Sequence, residues 1–103
     1  MIWLLLAFFA NAQSLPAEGT LNAEEISRMD SYANLNGNSG VEKYQITETS
    51  IRVKFITSSD IYVYTYQKPG KIHVDEMKRL AKSGRGLATY INQKVRKNYE
   101  HKE

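Results

Sequence analysis

Large apolar and polar side chains alternate along residues 50–66, on both sides of a short polar turn. A period of two is typical of strands with one buried face. The pattern predicts strands over Ile51–Ile56 and Ile61–Gln67, and a similar segment predicts an earlier strand, Val41–Ile46. Pro69 follows the last strand and ends the sheet, because proline has no N–H to donate to a neighbouring strand.

Antiparallel pairing of these strands predicts which side chains share a face. With the first turn centred on residues 48–49, Ile46 lies opposite Ile51; with the second centred on residues 58–59, Ile51 lies opposite Tyr66. One face then carries Tyr44, Ile46, Ile51, Val53, Phe55, Tyr62, Tyr64 and Tyr66. The other carries Lys43, Gln45, Arg52, Lys54, Val63 and Thr65, a basic surface that could contact phosphates without reading bases.

Two amphipathic helices are predicted after the sheet, over Val74–Ser83 and Leu87–Asn98. Gly84 follows the first helix and can adopt the left-handed conformation that ends it. Because both helices need an apolar surface to cover, we predict an α+β fold: a three-stranded antiparallel meander followed by two helices packed on one face. The tyrosines are then an inner wall beneath the helices. The alternative is an exposed platform on which nucleic-acid bases stack.

The N-terminal region predicts export. Residues 1–10 are an unbroken apolar run, shorter than the about 20 residues that span a bilayer. Ala10-Asn11-Ala12 has the small-x-small pattern of a signal peptidase site, so residues 1–12 are interpreted as a signal peptide of a periplasmic or secreted protein. This signal lacks a basic residue before the apolar run. The alternative is a buried N-terminal element in a cytoplasmic protein.

The remaining boundaries follow from composition. Residues 13–38 are predicted to be a flexible segment with a short helix within 22–32, residues 39–100 the domain, and 101–103 a tail. Residues 1–49 hold two basic and six acidic side chains, a net charge of −4, whereas residues 50–103 hold twelve and five, a net charge of +7. The predicted domain is therefore the basic half of the chain.

The sequence contains no recognisable catalytic or metal-binding pattern. There is no cysteine, and His73 and His101 lack ligand-like spacing. Asp75 and Glu76 are adjacent on a predicted helix, where they suit the helix dipole better than paired acid–base chemistry. We therefore expect no enzyme activity, no catalytic residues, no cofactor and no metal.

Several short motifs resemble a known family when they are read in order. Tyr64-Thr-Tyr66 is followed by Pro69, and Ser83-Gly84 comes before the last helix. The ending places Tyr90, Ile91, Asn92, Val95 and Tyr99 at an aromatic-F/I-N-x-x-I/V-x-x-x-Y spacing. Over residues 38–100 the chain resembles the KTSC domain, found at the C-terminus of some lysyl-tRNA synthetases and alone in small bacterial proteins. Residues 86–89 depart from the family pattern as an insertion.

The resemblance implies a domain without established activity, for which RNA binding has been suggested. Export would keep the protein from tRNA, so the leading expectation is a non-catalytic KTSC-like binding module, with RNA binding through a basic helical surface as the alternative. Candidate binding residues are Lys78, Arg79, Lys82, Arg85, Lys94, Arg96 and Lys97. Such a patch could contact an anionic polymer, either nucleic acid or a cell-envelope component. The alternative is that these are solvated helix faces.

Overall fold

The fold is a five-stranded antiparallel sheet with helices on one face. A computed structural model describes residues 23–103. Its elements are α1 (Ala23–Ser27), β1 (Asp30–Ser31), β2 (Val41–Ile46), β3 (Ser50–Phe55), β4 (Ile61–Thr65), α2 (Lys71–Ser83), α3 (Leu87–Tyr90), a π-helical segment (Ile91–Val95) and β5 (His101–Lys102). The strand order is β1-β2-β3-β4-β5. None of the helices within this range is long and apolar enough to cross a bilayer.

The predicted three-stranded meander is wrong, because the sheet has two further strands. The three predicted strands form its centre. β1 pairs with β2 through Asp30 opposite Tyr44, and β5 pairs with β4 through His101 opposite Val63. Each added strand has only two residues, too few to show the alternation on which strand prediction depends.

The register of the sheet preserves the predicted faces. The first hairpin pairs Ile46 with Ile51 as predicted, whereas in the second hairpin Ile51 lies opposite Tyr64 rather than Tyr66. Ile56 leaves the β3–β4 ladder and donates its N–H to the Gly40 carbonyl at 2.8 Å, so the second turn is centred one residue earlier. The resulting shift of two positions leaves every side chain on its expected face.

The face of the sheet beneath the helices carries the main hydrophobic core. Ile51, Val53 and Tyr64 are at most 1% exposed. The helical segments supply Val74, Met77, Ala81, Leu87, Ile91 and Val95. Burying one such aliphatic side chain stabilises the fold by about 1.5–3 kcal/mol. Tyr64 is therefore part of the inner wall.

Gly84 ends α2 in the expected left-handed conformation, with φ 77°. Its N–H donates to two carbonyls of the last helical turn, including Ala81 at 3.3 Å. A Cβ at this position would lie 2.7 Å from the Cβ of Ala33. The close approach therefore requires glycine as much as the backbone angle does. The helix begins at Lys71, three residues before its predicted start.

The prediction of one continuous helix over Leu87–Asn98 is wrong. A single α-helical turn, α3, widens into the π-helical segment, and the N–H of Arg96 donates to the Ile91 carbonyl five residues back. The wider turn keeps Ile91 and Val95 buried at 3% exposure. It also ends the helix at Val95, which lets the chain return to pair with β4 as β5.

Residues before β2 contribute to the domain. α1 covers only the start of the predicted 22–32 helix. Tyr32 is 6% exposed, and its hydroxyl accepts a hydrogen bond from the N–H of Leu87 at 3.2 Å. The predicted signal peptide, residues 1–12, lies outside the described residues.

The opposite face of the sheet is less open than its basic residues suggest. Val63 is 3% exposed there. Arg52 Nε lies 3.2 Å from Glu103 Oε1, and Lys54 Nζ lies 2.7 Å from Glu42 Oε1. The hydrogen bond from Lys54 holds the pKa of Glu42 below its usual value. Because these two cations already have carboxylate partners, this face is a poor candidate for phosphate contacts.

Candidate ligand-binding grooves

A groove of about 420 Å³ opens where the end of β3, β4 and the π-helical segment meet. We call it the aromatic groove; its lining is Phe55, Thr57, Ser58, Tyr62, Tyr64, Ile91, Asn92, Arg96, Lys97 and Tyr99. The sheet supplies rings, the β3–β4 turn supplies hydroxyls, and the end of the helical region supplies an amide and two cations. Aromatic walls with a few polar groups are typical of small-ligand sites.

Edge-to-face ring contacts hold the aromatic wall together. The Tyr62 ring centroid lies 5.5 Å from that of Phe55 and 5.0 Å from that of Tyr99. Tyr99 also meets Tyr64 at 6.2 Å, and all three pairs are close to perpendicular. Such pairs add about 0.5–1.5 kcal/mol each beyond their buried area. The wall is therefore preformed.

The Tyr64 hydroxyl stays neutral across the physiological pH range. Burial raises its pKa most, and the neighbouring hydroxyls of Tyr62 and Tyr99 raise it further. A neutral phenol can donate one hydrogen bond and accept others, but it is a poor proton acceptor for acid–base work.

Arg96 reaches the groove from a strained turn. Its φ of 44° and ψ of −115° are close to the about +60° and −120° of the first central residue of a type II′ turn. The N–H of Asn98 donates to the Val95 carbonyl at 2.7 Å, which closes that turn. Glycine normally occupies this position, so an arginine there costs about 1–3 kcal/mol. Backbone strain of this kind clusters at functional sites.

A second groove, of about 250 Å³, adjoins the first at Asn92, which lines both. We call it the amide groove; its lining is Tyr32, Asn34, Asn36, Asn38, Ser39, Gly40, Gly84, Arg85, Gly86, Ala88, Thr89 and Asn92. The loop before β2 faces the α2–α3 junction across it. The Leu35 N–H donates to the Gly84 carbonyl at 2.9 Å, and Asn34 Oδ1 accepts from the Ser39 N–H at 3.0 Å. These bonds fix the loop.

A separate polar cluster surrounds Tyr66, which lies at the end of the Tyr62, Tyr64 and Tyr66 series away from the aromatic groove. We call Tyr66, Lys71, Asp75 and Lys78 the Tyr66 network. The Tyr66 hydroxyl donates to Asp75 Oδ1 at 2.6 Å, and Lys71 Nζ lies 2.7 Å from Asp75 Oδ2. Lys78 Nζ lies 4.8 Å from the Tyr66 ring centroid. The bond from Lys71, then that from Tyr66, holds the pKa of Asp75 below its usual value, while Asp75 raises the pKa of Lys71.

The structure divides the predicted basic residues among several environments. Arg96 and Lys97 line the aromatic groove, and Arg85 lines the amide groove. Lys78 belongs to the Tyr66 network, and Arg79 pairs with Glu76. Lys82 and Lys94 have exposed side chains outside both groove linings.

The residues that carry the KTSC resemblance also fall into two sets. Tyr64, Ile91, Asn92 and Tyr99 line the aromatic groove. The other six have structural surroundings. These are Tyr66 in its network, Pro69 after a cis peptide bond, Ser83 bonded to the Leu80 carbonyl, Gly84 at the helix end, Tyr90 bonded to His73, and Val95 in the core. Within the motif, the groove residues therefore come from β4, the π-helical segment and the chain just after it.

Sequence reasoning missed four residues of the groove lining. Phe55 and Tyr62 are assigned to the core face by their alternation, and Thr57 and Ser58 to a turn. The available signal is Tyr99, an aromatic residue two positions after the basic pair Arg96-Lys97. Among residues 23–103, no group of three or more histidine, aspartate or glutamate side chains could hold a metal ion.

Comparison with known proteins gives no match: no protein-family model, curated protein or solved structure matches this chain.

Proposed function

We propose that this chain is a small KTSC-like, non-catalytic binding module whose ligand site is the aromatic groove. The observation that carries the proposal is the pairing of a preformed ring wall with Arg96 and Lys97 at one site. Such a wall offers apolar and π-face contact, and the two cations favour a negatively charged ligand.

The strain at Arg96 supports a binding role for this residue. A type II′ turn with glycine at that position would be more stable, so the arginine reduces the stability of the turn. Arg96 lines the groove together with Asn92. An arginine that reads an anion bidentately would explain why the position is not glycine.

The chemistry of the lining supports binding rather than catalysis. The part of the chain that the structure describes lines the groove with hydroxyls, one amide, rings and two cations, and contributes no carboxylate or imidazole to it. The raised pKa of Tyr64 keeps its hydroxyl protonated near neutral pH. General acid–base work requires a group with a pKa near the working pH.

RNA binding is the second candidate, because proteins that bind single-stranded nucleic acid commonly combine aromatic side chains with basic ones. It differs from the first in its salt dependence. Phosphate contacts release counterions, so binding of a single-stranded RNA oligomer should weaken steeply between two salt concentrations. An absence of RNA binding even at low salt would contradict this candidate.

The aromatic groove is tested by titrating the protein with uridine monophosphate, galacturonic acid and inorganic phosphate, followed by amide and ring NMR shifts. We expect shifts at Tyr62 and Tyr99 with at least one of these anions. Arg96→Gln with Lys97→Gln should weaken that binding about tenfold or more. The charge-matched control is Lys82→Gln with Lys94→Gln, which removes two exposed cations outside the groove. Equal losses in the two double variants would contradict the proposed site.

Export through residues 1–12 is part of the proposal. It is supported by the apolar run and the Ala10-Asn11-Ala12 pattern. Mass spectrometry of the protein isolated from its native cell should find Gln13 at the N-terminus. Recovery of intact Met1–Ala12 would leave a cytoplasmic module.

A further inference from the structure

The aromatic groove and the amide groove meet at one side chain, that of Asn92. The charged side chains of both linings are positive. Among residues 23–103 the linings contain the cations Arg85, Arg96 and Lys97, and no aspartate or glutamate. A ligand that leaves one groove past Asn92 therefore enters the other without meeting a repulsive charge. The two grooves are suited to successive units of one extended anionic ligand.

The amide groove offers mainly uncharged hydrogen-bonding groups. Asn36, Asn38, Thr89 and Asn92 have exposed side chains on its lining. A side-chain amide both donates and accepts hydrogen bonds, and a threonine hydroxyl does the same. The loop that carries the first two is bonded to the α2–α3 junction. A preformed groove reduces the entropy that a ligand's binding must offset.

The ratio of uncharged to charged groups points to the ligand chemistry. Across both linings, five exposed and uncharged hydrogen-bonding side chains accompany three exposed cations; the five are Asn36, Asn38, Thr57, Thr89 and Asn92. A nucleic acid carries one negative charge in each nucleotide and is bound largely through its phosphates. A carbohydrate with carboxylates carries several hydroxyls for each charge, and the C–H faces of its rings pack on aromatic side chains. The linings therefore match an acidic saccharide better than a phosphate polymer.

We propose that the two grooves together bind one acidic oligosaccharide, with a sugar ring against Tyr62 and Tyr99, its carboxylate at Arg96 and Lys97, and the next units hydrogen-bonded in the amide groove. This inference rests on the proposed function, because it uses the aromatic groove as its first subsite. It adds the ligand class and the second subsite.

The test compares three probes of equal length: a galacturonic acid hexamer, its methyl-esterified neutral form, and a hexauridylate RNA. Affinity is measured by calorimetry and the contact surface by amide NMR shifts of the full chain. We expect the galacturonate hexamer to bind most tightly and to shift residues of both grooves, including Asn36 and Lys97. A galacturonate dimer should shift only the aromatic groove.

One double variant tests the amide groove separately from the aromatic groove, and a second serves as its control. Asn36→Ala with Asn38→Ala should weaken hexamer binding about tenfold and leave dimer binding unchanged, since two or so hydrogen bonds are lost only for the longer ligand. The matched control, Gln67→Ala with Gln93→Ala, removes two exposed amides outside both linings and should change neither affinity. Near-unchanged NMR spectra of the free variants will establish that each is folded.

The outcomes distinguish this inference from the proposed function. Shifts confined to the aromatic groove, or an unchanged hexamer affinity in the amide variant, would overturn the two-groove inference alone. Tighter binding of the RNA across both grooves would replace the saccharide with nucleic acid. If no probe shifts the aromatic groove, both the inference and the proposed site are overturned.

Discussion

Tyr62, Tyr64 and Tyr66 form a tyrosine strip along β4 and the residue that follows it, and the two ends of this strip have the same residue type and opposite roles. At one end, the Tyr66 hydroxyl is held by Asp75, with two lysines near its ring. At the other end, Tyr62 packs edge-to-face between two rings and lines a groove. Between them, Tyr64 is buried in the core. Alternation alone decides the face of a side chain, whereas the neighbours supplied by distant elements decide whether it anchors, packs or binds.

The largest expected effect on stability comes from truncating Tyr64, which lies between the two ends. Tyr64→Ala should lower the free energy of unfolding by about 4 kcal/mol, the usual cost of truncating a large buried aromatic side chain. Urea denaturation followed by circular dichroism measures this loss. A loss below about 1 kcal/mol would mean that Tyr64 is not a core residue that stabilises both ends of the strip.

Tyr66→Phe should affect only the anchoring end. It removes the hydrogen bond to Asp75 and should lower the free energy of unfolding by about 1 kcal/mol. Binding in the aromatic groove should not change, because Tyr66 is absent from its lining. The same denaturation and titration experiments test both parts. A weaker ligand affinity at unchanged stability would reverse the assignment of the two ends.

Arg96→Gly should have opposite effects on stability and binding at the groove end. Glycine relieves the backbone strain of the turn, and its greater conformational freedom in the unfolded chain offsets part of this gain. The free energy of unfolding should therefore rise by about 0.5–1 kcal/mol. Ligand affinity should fall because the guanidinium is lost. Thermal unfolding and calorimetric titration measure the two changes. Lower stability in the glycine variant would show that the arginine side chain stabilises the fold.

The smallest expected effect is the pH dependence of the stability that Asp75 contributes to the Tyr66 network. The pKa of Asp75 is lowered below 3.8 in the folded state, chiefly by Lys71. Its ionised form is therefore favoured by folding, and this stabilisation is present above pH 3.8 and is lost as the pH falls through the folded-state pKa. Asp75→Asn should destabilise the protein at pH 7, and this penalty should shrink as the pH is lowered from 7 towards 2. Denaturation curves that show a constant penalty over this range would contradict the assignment.

The sequence predicts the centre of this fold and misses its edges. Strands β2–β4 and the faces of their side chains follow from alternation, which long-range contacts then stabilise. β1 and β5 have only two residues each and exist because β2 and β4 offer free backbone groups. The π-helical segment has no local signal either, since Leu87, Ile91 and Val95 fit an α-helix equally well.

The candidate site is predicted only in part, for a related reason. The resemblance to the KTSC domain includes Tyr64, Asn92 and Tyr99, and the charge pattern includes Arg96 and Lys97. Their convergence depends on the early end of the helix, which turns the chain back across Tyr62. Without that turn, the periodicity places the cations on a solvent-exposed helix face, which is how the sequence alone is interpreted.

β5 also protects the sheet from other chains. Ile61 and Glu103 exchange both of their backbone hydrogen bonds, at 2.8 and 2.7 Å, so the terminal residues occupy the outer edge of β4. The new edge is two residues long and carries His101 and Lys102, and short charged edges discourage sheet-to-sheet aggregation. Proteolytic loss of residues 101–103 would expose the apolar, β-branched edge of β4 as a template for self-association. The few residues at this end of the sheet therefore contribute to solubility as well as to the fold.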